Sequence, residues 1–244
     1  MGPNQFARKY HSAPDAATLL RYKATKSKRS GRVSGVLLLN ISRFFDHLNP
    51  DILINTLCDM GVDPQTCAWI RSFMTDRSLS LSFNNYSTDR FVPTSGTPQG
   101  SPLSPIASAL YTAPLLKEAL TWETEDLTLY VDDGAIFASG ETYNAVTSLL
   151  TSAATQVFSW LRDHGLTADE DKTEILFFST RGHSIHHGIS PTSVTFPAPF
   201  SHISITPTQT LRYLGVFFNT KLTWHYHAKT LPHAHEVFSM ASVS

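Results

Sequence analysis

The chain of 244 residues has only two cysteines, Cys58 and Cys67. That scarcity excludes a disulfide framework and a cysteine-rich zinc site. Long apolar runs are missing as well. Stretches such as residues 36–39 fall far short of the roughly 20 residues that a bilayer span requires, and the polar start MGPNQFARKY has no signal-peptide character. The expectation is an intracellular protein, nuclear or cytoplasmic, with no membrane partner. Net charge is also nearly absent, at −1, but it is unevenly placed. Up to residue 35, Arg8, Lys9, Arg21, Lys23, Lys26, Lys28, Arg29 and Arg32 stand against Asp15 for a local +7, while the remainder carries −8. The basic part fits two readings: a surface for phosphates, or a solvated and partly disordered segment. With 41% hydrophobic residues, the chain has enough apolar material for one large domain or two small ones.

What is present is an alternation of strand and helix signals. Residues 33–41 read as a buried strand. Asn49-Pro50 and Asp63-Pro64 each place a capping side chain before a proline at the first helical position, so two short helices follow, the first stopped by Gly61. Residues 79–84 and 90–94 suggest a hairpin around Asn84-Asn85. A loop punctuated by proline and glycine, SGTPQGSPLSP at residues 95–105, leads into a helix over about 106–120. A long amphipathic helix is expected over 141–164 with Gly165 past its end, then a strand over 173–179, a loop or insertion over 181–207, and the strand-rich LRYLGVFFN. No internal repeat is evident.

The most informative stretch is LTLYVDDGAIFAS, residues 127–139, where two adjacent aspartates interrupt apolar runs. The plain reading is a β-hairpin with its turn at Asp132-Asp133-Gly134, because Asp-Gly is a strong signal for such turns. What the two carboxylates do at that turn is decided by the rest of the chain.

Taken in order, these motifs resemble a reverse transcriptase of the non-LTR retrotransposon type. YVDD at residues 130–133 is similar to that family's catalytic hairpin, and SGTPQGSPLSP is similar to its template and nucleotide loop. DKTEILFF at 171–178, LRYLGVFFNTKLTWHYH at 211–227 and QFARKYHSAPDAATLL at 5–20 complete the likeness. The resemblance implies an α+β fold, a polymerase palm with an antiparallel sheet and helices on one face. It also implies truncated fingers and only the start of a thumb. The corresponding divisions are 1–35 as a basic remnant of the fingers, 36–180 as palm, and 181–244 as insertion, end of palm and thumb start. No endonuclease, RNase H or zinc-knuckle segment is seen, so the chain is expected to be a fragment of a larger element protein.

The implied activity is RNA-directed DNA polymerisation: dNTPs are added to the 3′-OH of a DNA primer on an RNA template, with two Mg²⁺ (or Mn²⁺) ions clamping the attacking and leaving oxygens. By resemblance, Asp132 is a metal ligand, Asp133 its supporting neighbour, and Tyr130 part of the same motif. Phe45 matches an aromatic gate against a 2′-hydroxyl, or is simply core. Lys172 matches a position that protonates leaving pyrophosphate, or is a surface salt-bridge residue. Gly96 and Gly100 allow close backbone approach, Pro98 stiffens the loop, and Gln99 hydrogen-bonds nucleotide or template.

One position departs from the family. Where Asp-x-x-x-Ala-Phe-Asp is expected, residues 40–46 read NISRFFD, so Asn40 replaces the metal-bridging aspartate and Phe44 a small alanine. A neutral amide balances cations poorly. Asp46 lies about 20 Å away along an extended strand at ~3.3 Å per residue, and is better read as capping a turn or the next helix. Active chemistry, binding without chemistry, and a decayed remnant are the three readings left open. His183, His186, His187, His225, His227, His233 and His235 lack cysteine partners and consistent ligand spacing, so they are read as solvated loop residues.

Overall fold

A four-stranded antiparallel sheet in the order β4-β5-β1-β6 organises the chain, with β1 Val33–Asn40, β4 Asp126–Tyr130, β5 Asp133–Gly140 and β6 Glu174–Phe178. The computed structural model describes residues 4–98, 100–122, 126–178 and 187–223. Gln99, the thumb segment and the histidines named above other than His187 therefore lie outside the described residues.

Strand β1 is central, and its burial follows from its sequence. VSGVLLL is apolar on both faces, as a strand covered from two sides must be. Leu37 and Leu39 point into one core with Leu127, Leu129, Ile136, Ile175 and Phe177, while Val36 and Leu38 point into another with Ala135, Phe137, Leu176 and Phe178. The first core is closed by helices α3 Pro50–Asp59, α4 Pro64–Met74, α5 Leu103–Tyr111, α6 Ala113–Ala119 and α7 Tyr143–Asp163. Val146, Leu150, Val157 and Leu161 of α7 are fully buried, and each contributes on the order of 1.5–3 kcal/mol by leaving water.

The opposite face is covered too, which adds to the expected single helical layer. Residues 13–29 form helix α1, Ala13–Arg29, so the stretch KATKSKRSGR at 23–32, which one of the two readings left partly disordered, is helical through Arg29. Its stripe of Ala16, Ala17, Leu20 and Ala24 is buried against the second core. Alanines among lysines hide an apolar face, because a close-packed helix needs little side-chain volume. A hairpin of β9, Thr210–Tyr213, and β10, Val216–Asn219, shares this face through Leu211, Tyr213 and Phe218.

The capped helices form as their sequences dictate. Asn49 Oδ1 accepts from the Asp51 and Ile52 N–H groups, Asp63 Oδ1 from Thr66 N–H, and Thr142 Oγ1 from Ala145 N–H. Gly61 and Gly165 adopt positive φ just past helix ends. The single helix expected over 106–120 is instead broken into α5 and α6 at Thr112, because Pro114 suits a first helical turn and not a helix interior. Between α4 and α5, a short hairpin of β2, Ser82–Phe83, and β3, Tyr86–Ser87, turns at Asn84 and Asn85, both with positive φ. Its strands are shorter than expected. Within 187–207 a second small hairpin pairs β7, Val194–Thr195, with β8, Ser204–Ile205. Among the described residues no helix is long and apolar enough to cross a membrane.

Candidate active site

The hairpin joining β4 to β5 turns one step earlier than the Asp-Gly signal suggests. Tyr130 pairs with Asp133, which leaves Val131 and Asp132 as the two turn residues and puts Asp133-Gly134 at the start of β5. Val131 carries the positive φ, 58°, a costly conformation for a β-branched residue. Gly134 serves packing instead of turning: it pairs with Leu39, and a Cβ there would lie 2.8 Å from Leu39 Cδ1. The turn is pinned by the Ile41 N–H, which donates to the Asp132 carbonyl at 2.8 Å.

This register delivers Asn40 to the two carboxylates. Asn40 is paired with Asp133 across the β1–β5 ladder, and its Nδ2 lies 3.5 Å from both Asp132 Oδ2 and Asp133 Oδ1. Burial and then the adjacent Asp132 charge push the Asp133 carboxyl above its ordinary value, while Asn40 and Lys172 act the other way. The segment after α7 closes the same edge. The Asp169 N–H donates to the Asn40 carbonyl at 2.8 Å, and the Asp169 carboxylate holds Lys172 Nζ at 2.9 Å. Lys172 is pushed up, first by Asp169 and then by Asp132 and Asp133. It is thus both an exposed, salt-bridged lysine and a wall of the site. An open cleft of about 540 Å³ is lined by Asn40, Asp133, Lys172 and Asp171, and on the other side by Arg212 and Tyr213 of β9.

The remaining expected residues sit elsewhere. Phe45 lies in the short helix α2, Phe44–His47, half-buried with its ring 6.0 Å from that of Phe44, and is not among the residues lining the cleft. Asp46 falls within α2, and the cap of the following helix is Asn49. The loop glycine Gly96 does permit a close backbone approach, but to this chain itself. A Cβ at Gly96 would lie 2.7 Å from the Asp46 carbonyl oxygen and 2.8 Å from that of Phe45, and φ is +83°. The Gly96 N–H donates to the Leu48 carbonyl, and the Thr97 N–H to that of Phe45 at 2.7 Å. Arg77 adds bonds to the Ser95 and Gly96 carbonyls at 3.1 and 2.7 Å. Gly100 has positive φ with open space around it, and the Pro98 carbonyl accepts from Ser104 Oγ at 2.6 Å. Asp169 and Arg212 were not singled out from the sequence. The signal for Arg212 was its place in LRYLG, beside a motif already noted.

Comparison with known proteins decides the family. The model of the reverse transcriptase (RNA-dependent DNA polymerase) family matches residues 2–218. The chain belongs to that family. It is 23% identical over 201 residues to the Drosophila melanogaster RNA-directed DNA polymerase from mobile element jockey, covering 80% of this chain and 21% of that protein. It is 29% identical over 103 residues to the Pol polyprotein from the type-2 retrotransposable element R2DM of the same organism, covering 42% of this chain and 10% of that protein. The domain is thus a reverse transcriptase of the non-LTR retrotransposon type, and it spans about a fifth or less of these relatives. In fold it is similar to apo telomerase from Candida tropicalis, with TM-score 0.61 and 13% identity over 90% of this chain and 36% of that one. Telomerase from the same organism in complex with a TWJ fragment of telomeric RNA gives TM-score 0.58 and 15% identity over 90% and 33%. The polymerase palm is the shared architecture.

Members of this family work with divalent metal ions. Two carboxylates and one amide fit a single hard cation, which commonly takes one or two carboxylates and completes its shell with water and phosphate oxygens. They do not fit a bridged pair: the described residues hold no group of three or more His, Cys, Asp or Glu side chains able to hold a metal.

Proposed function

We propose that this palm engages an RNA template paired with a DNA primer and is built to add dNTPs to the primer 3′-OH, but that Asn40 holds its chemistry near background. The observation that carries this reading is the juxtaposition of Asn40 with Asp132 and Asp133 at the β1–β5 edge. Asp132 and Asp133 would hold one Mg²⁺, which supplies charge to a transferring phosphoryl group. The chain's own residues do the rest. Ile41 N–H fixes the turn that carries Asp132, and Lys172, exposed beside Asp169, would carry a proton toward a departing phosphate. Gly96 and its neighbours, zipped onto α2, would present residues 100–102 as a rim for the nucleic acid.

A primer-extension assay with the full chain, an RNA template, a DNA primer, dNTPs and Mg²⁺ tests this. Extension close to background, reduced further by Asp132→Ala, is the expected result, with hybrid binding retained in both proteins. Vigorous extension by the unaltered chain would overturn the assignment to Asn40. Extension that survives Asp132→Ala would overturn the site itself.

A further inference from the structure

The two cysteines take no part in this site, yet they meet in space. Cys58 lies at the end of α3 and Cys67 in the first turns of α4, with their Sγ atoms 3.9 Å apart. Cys58 is exposed and Cys67 is buried. Packing imposes this approach. Leu53 and Leu57 of α3 and Ile70 and Met74 of α4 are buried in the same core, and Arg71 Nη1 reaches Asp51 Oδ1 across the two helices at 2.6 Å. The Cys67 thiol is further oriented by donating to the Val62 carbonyl at 3.6 Å.

We propose that Cys58 and Cys67 form a reversible dithiol–disulfide site that staples α3 to α4, with a peroxide as oxidant. A bond needs Sγ atoms about 2.05 Å apart, so the gap must close by roughly 2 Å, within the swing of the exposed Cys58 side chain about its Cα–Cβ bond. Cys58, open to solvent, reacts first. Its thiolate attacks hydrogen peroxide, the O–O bond breaks, hydroxide leaves and Cys58 becomes a sulfenic acid. Cys67 then attacks the Cys58 sulfur, the S–O bond breaks, and the Cys67 proton leaves with that oxygen as water. Two thiols are oxidised to one disulfide while one peroxide is reduced to two waters.

The test uses the full chain treated with hydrogen peroxide, then alkylated and weighed intact. The expected product has lost two hydrogens, has no alkylatable thiol, migrates as a monomer without reductant, melts at a higher temperature than the reduced chain, and returns to two free thiols with dithiothreitol. In Cys67→Ala the reaction should stop at the Cys58 sulfenic acid, which dimedone captures. In Cys58→Ser, Cys67 should stay unreacted. A disulfide-linked dimer as the main product, a sulfinic acid at Cys58 with Cys67 still free in the unaltered chain, or two thiols that survive peroxide would each overturn the proposal.

Discussion

Asn40 and Asp133 face each other across the β1–β5 ladder, with the Asn40 amide nitrogen 3.5 Å from an oxygen of Asp133 and equally far from one of Asp132. A weak donor thus occupies the place where a third carboxylate would be needed to gather cations. Bonds this long contribute little, so the amide chiefly spares the site a third negative charge. Asn40→Asp should therefore lower the metal-free melting temperature and enlarge the rise produced by Mg²⁺ or Mn²⁺, since an ion that binds only the folded state stabilises by mass action. Primer extension should increase at least about tenfold, equivalent to roughly 1.4 kcal/mol of barrier. If the variant gains neither metal response nor rate, the missing carboxylate is not what limits this palm.

Gly96 and Gly100 offer a matched pair of substitutions in one loop. Alanine at Gly96 would drive a Cβ into the Phe45 and Asp46 carbonyl oxygens and also force a strained φ. Alanine at Gly100 meets nothing within 4 Å and faces only the backbone penalty. Left-handed backbone costs an L-residue roughly 1–2 kcal/mol, so Gly100→Ala should lose about that much and Gly96→Ala distinctly more. Urea unfolding of the two variants checks the ranking. Equal losses would mean that the contact between the loop and α2 yields easily.

The helix caps, the central strand and the presence of a hairpin at the paired aspartates were legible in the sequence because each is written locally. Asn49-Pro50 and Asp63-Pro64 state where a helix starts, and VLLL admits burial on both faces. Helix α1 was not legible, since its buried face is built mostly from alanine and its lysines dominate any compositional reading. The turn position was misread for a related reason: Gly134 answers to the neighbouring Leu39 side chain, a tertiary demand that the Asp-Gly dipeptide does not announce. The same holds for Asp169 and Arg212, which reach the site only through the return of the chain past β1 and the docking of the β9–β10 hairpin.

Asp63 offers a pH-dependent test of the α3–α4 corner. Its carboxylate accepts from Thr66 Oγ1 at 2.6 Å and from Thr66 N–H at 2.9 Å, and these bonds hold its pKa below the ordinary value of 3.8. Because the folded pKa is depressed, the unfolded chain binds more protons between the two values. The stabilisation is present above the ordinary pKa and is lost as pH falls through the folded one. Asp63→Ala should lower the melting temperature at neutral pH, and the gap to the unaltered chain should vanish in strong acid. A gap that persists at low pH would assign the effect to lost packing instead of the charged cap.

The burial of helix α1 changes how contact between the basic segment and nucleic acid must be tested. Removing the segment would strip Leu20 and three alanines from the core, so point substitutions on the outer face are the sound approach. Several of its cations are already engaged: Lys23 with Asp126, Lys28 with the Lys221 carbonyl, and Arg32 with Glu141. Lys26 and Arg29, in contrast, present exposed side chains from the last turn of α1. If they contact phosphates, each releases a counterion on binding, and each removed charge should flatten the plot of log affinity against log salt by about 0.7–0.9. Lys26→Ala with Arg29→Ala should therefore weaken binding of an RNA–DNA hybrid at low salt and leave the melting temperature within about 0.5 kcal/mol equivalent of the unaltered chain. An unchanged salt slope would make α1 a cover for the second face of the sheet and nothing more.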